Sequence, residues 1–273
     1  RESNVSVRID AKGRLTMQTL PLAARDSMLS AVSASSRAGL PLRPLVSFSW
    51  ACCGLLIGCS SDEAASALRS PCAPAPGTTG SPSSIAETVA SVNGLPKPVS
   101  LACFLEALER PLRLVASRSL FSAQPAAGSR SPRIFLFHDG IIMSVVPEGS
   151  ARNLLEMGEA TSPGSSIKAE LAFPITEGIT LATAFERLPL DGITTCGVCH
   201  NGRLPVLGIE GAFESEVLRP ADEELVPLAE LEEEARSCDP ELEPERCALL
   251  EALFQHGEAI AAEFPRSVRT IFD

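Results

Sequence analysis

Fourteen mostly apolar residues, Leu45 to Gly58, end abruptly at Cys59, and the chain then runs in Ser, Ala, Pro, Gly and Thr to about Leu95. That break decides where a core can form. The apolar run, with Arg37 and Arg43 before it, has the charge and length of a secretion signal. It is too short to span a bilayer comfortably as a helix. The stretch after it lacks the apolar density to bury its backbone and reads as a tether. Residues 1–58 are therefore expected to be a leader with a signal peptide, 59–97 a disordered linker, and 98–273 the folded domain. The chain opens on Arg1, and Met17 and Met28 are the expected starts; residues 1 to 36 show no sustained periodicity.

Leu56-Ile57-Gly58-Cys59 resembles the lipobox of bacterial lipoproteins. The resemblance implies cleavage before Cys59, lipidation of its thiol, and anchoring at a membrane of the cell envelope, facing the periplasm or the cell surface. The alternatives are an ordinary signal peptide or an apolar segment with an incidental cysteine.

From Cys59 onward 16 basic residues stand against 31 acidic ones, a net charge of −15. That excludes a nucleic-acid partner and a surface drawn by charge to anionic lipid. Nine cysteines are many for a reduced cytoplasmic chain of 273 residues.

Past residue 98 the patterns become foldable. Pro98 to Arg110 reads as a short amphipathic helix leading to a strand near Val115. Ile134–Phe137 and Ile141–Val146 flank His138-Asp139-Gly140, a hairpin signal. Asn153–Met157 and Ile167–Phe173 extend the pattern, the last with Ile167, Ala169, Leu171 and Phe173 on one face. Residues 132 to 175 thus predict a small antiparallel sheet. After Pro174 helices are expected: two turns from Leu181 to Leu188, a short helix capped by Thr194 or Thr195, then Asp222–Ser237 and Pro244–Phe264. The fold class is α+β: a small sheet, a helical cofactor-binding segment, then carboxy-terminal helices.

The chemistry concentrates in Cys196-Gly-Val-Cys199-His200. In c-type haem attachment two cysteine thiols add to the haem vinyl groups and the adjacent histidine ligates iron. On a helical turn the cysteines share a face and the histidine stands just beyond. From this composition chance supplies roughly 0.003 such motifs. Three alternatives stand beside the haem: a Cys196–Cys199 disulfide, a zinc site with Cys238 and Cys247, or a thioredoxin-like redox pair. Cys238 and Cys247 themselves suit a structural disulfide; Cys72 and Cys103 either pair or stay free.

The motif is similar to that of the cytochrome c superfamily, and Pro132 to Phe264 more broadly resembles exported single-haem proteins of that kind. The resemblance implies one covalent haem c on Cys196 and Cys199 with His200 as proximal ligand. It departs in the sixth ligand, since no methionine follows Met157. His256, at the edge of an apolar helix face, and Met157 are the distal candidates, with Met143 and His138 behind them. An open sixth position would instead suit a haem-based sensor or a peroxidase-like enzyme.

No G-x-S-x-G, H-E-x-x-H, phosphate loop or dinucleotide fingerprint occurs, and the carboxylates at Glu223–Glu224 and Glu230–Glu234 read as solvated helix faces. The expected function is electron carriage by an envelope lipoprotein with a redox partner protein, rather than catalysis. The competing class is a non-haem, disulfide-stapled lipoprotein with a structural or partner-binding role.

Overall fold

The computed structural model describes residues 72–120, 124–126, 130–187, 200, 204–206 and 208–270, and the backbone of 5–9, 15–19, 189–190 and 193–194. Two compact units divide the chain, Arg1–Gly58 and Cys59–Asp273. In the first, strands β1 (Val5–Ile9) and β2 (Leu15–Thr19) pair antiparallel. Alternation of Val5, Val7 and Ile9 with polar residues is a strand pattern that the reading of this stretch as aperiodic passed over. The signal run and Cys59 lie outside the described residues.

The second unit begins earlier than composition implies. Residues 85–93, assigned above to the disordered linker, form helix α1 (Ile85–Asn93). Ser84 caps it by accepting from the Glu87 amide, and Ile85, Val89 and Val92 fall on one buried face. That face offsets the entropy of ordering, which an averaged Ser/Pro/Ala composition concealed. The Cys72–Cys103 disulfide ties the start of this segment to helix α2 (Leu101–Glu106).

Next come β3 (Leu112–Ser117), β4 (Arg133–His138), β5 (Ile141–Val145), β6 (Leu154–Ser162) and β7 (Ser165–Ala172), an antiparallel meander. The β4–β5 hairpin turns at Asp139-Gly140, where Gly140 takes the positive φ that the turn requires. Strands β8 (Pro189–Leu190) and β9 (Ile193–Thr194) pair only with each other. Strands β10 (Leu204–Pro205) and β11 (Phe213–Glu216) extend the sheet beyond β7, and β12 (Leu225–Val226) closes its other end beside β3. Helices α3 (Leu228–Arg236) and α4 (Pro244–Phe254) precede β13 (Ala259–Ala261), which pairs parallel with β3.

The class is α+β, but the sheet has nine strands and dominates. Thr194, an expected helix cap, sits in β9; among the described residues around the cysteine motif there is no helix. Pro189, with no amide hydrogen to donate, and Gly192, a poor helix former, weaken helix formation there. Asp222–Ser237 is not one helix either: a single 3-10 turn and β12 precede α3. Pro244–Phe264 is cut short at Phe254. Gly257 adopts φ +134°, and a Cβ there would meet the Arg110 side chain at 2.7 Å, so the chain turns and continues as β13.

One face of the sheet carries the core. Phe104, Leu114, Leu136, Met143, Leu155, Leu171 and Leu250 are among its almost fully buried members, between the sheet and the helices. Arg110 closes α4 by donating from its guanidinium to the carbonyls of Leu253 and Ala252. Among the described residues no helix is long and apolar enough to cross a membrane.

Candidate functional site

The other sheet face is the unusual one. The pleat sends Ile134, Leu136, Met143, Leu155, Met157, Ala169 and Leu171 to the core, and therefore Arg133, Phe135, Ser144, Glu156, Gly158 and Lys168 to the opposite side. Charged and hydroxyl side chains thus lie in the middle of a wide sheet, where they need partners. Gln124, fully buried, donates from Nε2 to the Leu154 carbonyl and accepts from the Ser144 hydroxyl at 3.0 Å. Arg133 donates to Ser144 Oγ at 2.9 Å and to Glu156 Oε2 at 2.6 Å. Burial pushes the Glu156 carboxyl above the usual carboxylate range, and Glu170 adds to this while Arg133 and Lys168 oppose it.

Above this face lies a cavity of about 720 Å³, within the range of about 300–1,000 Å³ common for cofactor pockets. Its far wall comes from the carboxy-terminal segment. Phe264, expected at the end of the last helix, instead meets Phe135 and Phe137 edge-on at 5.1 and 4.9 Å between ring centres. One side of the cavity is therefore aromatic and the other polar.

His200 lines this cavity. Its Nδ1 lies 2.7 Å from the carbonyl oxygen of Glu216, the last residue of β11. With Nδ1–H donating to that oxygen the ring is a neutral imidazole whose Nε2 carries a lone pair. Burial, then the charge of Lys168, push its pKa down to about 4, which favours the neutral form a metal requires. No described residue hydrogen-bonds Nε2.

Among the other described candidates, His138 and Met157 lie at strand positions that line the same cavity, and the rest do not. Cys196 and Cys199, and Cys59, lie outside the described residues. His256 follows α4, its Nδ1 3.6 Å from Glu106 of α2, on the helical side of the sheet. Met157 opposes Met143 across β5 and β6; its strand borders the cavity while its side chain packs in the core. His138 ends β4, and burial lowers its pKa. Hence the structure brings neither His256 nor Met157 to His200. Cys238 and Cys247 are joined in a disulfide, as are Cys72 and Cys103, so the zinc site with Cys238 and Cys247 is not formed. Among the described residues no group of three or more His, Cys, Asp or Glu is arranged to hold a metal.

Sequence reasoning missed Gln124, Ser144, Arg133, Glu156 and Phe264. Polar residues alternating with apolar ones, as in Arg133-Ile-Phe-Leu and Leu155-Glu-Met, look the same for a solvated face as for a covered one. No family model matches the chain, and no curated protein or solved structure is similar to it.

A c-type haem would ask three things of this chain, and the described residues suit two of them. A neutral imidazole stands in the cavity with its Nδ1 held by a backbone carbonyl, the outer-shell partner that orients metal-binding histidines. The volume is adequate and has both an aromatic and a cationic side. The third, the cysteine pair, is supplied by the sequence immediately before His200.

Proposed function

We propose that this chain is an envelope lipoprotein carrying one c-type haem, bound through thioethers to Cys196 and Cys199 and ligated at iron by His200, and that it exchanges single electrons with a redox partner protein. The observation that carries the reading is His200, adjoining the cysteine pair in sequence and presenting a half-buried, neutral, backbone-oriented imidazole to a cofactor-sized cavity. The haem would supply the redox couple; the chain contributes attachment, orientation of the imidazole, and a partly dry cavity whose charges tune the potential. Lipid on Cys59 would hold the molecule at the membrane, with the residues up to Cys72 as tether.

A host able to attach c-type haem should yield a coloured protein, heavier by one haem, whose colour survives acid-acetone extraction. A colourless product at the mass of the bare chain overturns the reading. It would favour the competing one, a partner-binding lipoprotein, to which the Cys72–Cys103 and Cys238–Cys247 staples lend support.

A further inference from the structure

The cavity is unevenly charged, and the register of the sheet says why. In one row across its floor Phe135 faces Ser144 and Ser144 faces Glu156. In the next, Phe137 faces Ile142, Ile142 faces Gly158 and Gly158 faces Lys168. The floor is thus aromatic over β4, where Phe264 packs edge-on against both rings, and polar over β6 and β7. Two cations meet on the polar part. Arg133 starts from β4, but its guanidinium reaches across β5 and donates to Glu156 at 2.6 Å. Lys168 starts from β7 and lies over Gly158. A Cβ on that glycine would stand 3.7 Å from the Lys168 Nζ and 3.5 Å from the Ser166 hydroxyl, to which Nζ donates at 2.6 Å. Glu156 and Gly158 are two positions apart on one strand, about 7 Å. A carboxylate set between the two cationic heads can accept from both, in bonds of about 2.8 Å.

The balance of charge there is positive. Among the described residues of the polar floor, Arg133 and Lys168 face one carboxylate, Glu156, because Glu170 beside it is held by Arg187 at 2.6 Å. Two cations against one carboxylate leave one positive charge, and two when Glu156 takes the proton that burial favours. His200, neutral, adds none. The remaining lining carboxylates, Asp139, Glu224 and Glu263, stand at the β4–β5 turn and on the segments beside β3, where Arg113 and Arg219 also line the cavity. A positive floor is the exception in a chain of net −15 from Cys59 onward. Like charges side by side in a partly dry cavity disfavour one another, and an anion between them removes that cost.

We propose that this cavity binds an amphipathic organic acid, with a carboxylate between Arg133 and Lys168 and the apolar body against Phe135, Phe137 and Phe264. One or two carboxylates neutralise the floor, so the class spans a free fatty acid, which brings one, and a tetrapyrrole acid, which brings two. The contacts are non-covalent and need neither a metal nor the cysteine pair. The inference therefore goes beyond the haem reading without resting on it: it assigns selectivity for a carboxylate to Lys168 and Arg133. An uncharged ester of the same shape keeps the aromatic contacts and loses both charge-assisted bonds.

The test is a titration of the full chain, verified by mass to carry no haem, with laurate and with metal-free protoporphyrin IX, each beside its methyl ester. The expected result is one acid bound per chain, with the ester weaker by about tenfold or more. Lys168→Met should weaken the acid by a similar factor and leave the ester unchanged, and Lys168→Arg should keep the preference. Phe264→Ser should weaken acid and ester alike. Saturable binding of laurate alone assigns the site to a fatty acid, and of protoporphyrin alone to a tetrapyrrole acid. Acid and ester bound equally, an acid affinity indifferent to Lys168→Met, or no binding of either acid overturns the proposal. Haem attachment is read separately, by mass in a host able to attach it, so the failure of one reading is distinct from the failure of the other.

Discussion

At the residue scale, the contact between Glu216 and His200 concentrates most of the site's meaning. A backbone acceptor cannot be removed by substitution at 216, so the informative change is in the ring. His200→Gly should retain covalent haem on the cysteines but lose its proximal ligand, and added imidazole should restore the parent spectrum. Ligation by another residue would show as a variant spectrum indifferent to imidazole. Glu156 offers a second residue-level prediction. Its folded-state pKa is raised, so the folded protein holds a proton that the unfolded chain has released. Stability from this group is full below the ordinary carboxylate range and is lost as pH rises through the folded value. Glu156→Gln cannot titrate. Its denaturation midpoint should therefore gain on the parent's as pH is raised from acid to neutral, and parallel profiles would refute the assignment.

At the scale of elements, the two disulfides act on loops of different length. Cys72–Cys103 spans 31 residues and Cys238–Cys247 spans 9. Chain-entropy scaling assigns roughly 3.5 kcal/mol to the first and roughly 2.5 kcal/mol to the second. Replacing Cys72 and Cys103 together by Ser should thus cost more, in equilibrium denaturation, than replacing Cys238 and Cys247. The reverse order would mean that strain or residual structure outweighs loop length. Elements also differ in how far the sequence exposed them. The β4–β5 hairpin was readable because Asp139-Gly140 is a local device with a local cause. The face of Ile167, Ala169, Leu171 and Phe173 was readable because a strand's period is its own. Helix α1 was not, since its apolar residues are few and sit inside a Ser- and Pro-rich window. The end of α4 was misread because Ile260 and Phe264 continue a helical period past Gly257. Only the contact of Gly257 with Arg110, remote in sequence, makes that glycine a turn.

On the scale of the whole molecule, the cysteine motif was legible and the cavity was not, for one physical reason. The motif is five consecutive residues, whereas the cavity gathers β4 to β7, His200 and Phe264, groups that only the folded sheet and its carboxy-terminal segment bring together. The same scale governs the proposed attachment to a membrane. With a net charge of −15 from Cys59 onward, the molecule has little electrostatic attraction to an anionic bilayer. Among the described residues no helix offers an alternative span. On the proposed reading retention comes from acyl chains on Cys59, each buried methylene contributing about 0.8 kcal/mol and none of it sensitive to salt. High-salt washing should leave the parent protein in the membrane fraction, and detergent should release it. On the proposed reading Cys59→Ser should appear in the soluble fraction with its haem content unchanged, because Cys59 is remote in sequence from Cys196, Cys199 and His200. A Cys59→Ser protein that stays with the membrane would shift the anchor to the uncleaved apolar run at 45–58, and with it the lipoprotein reading would fall.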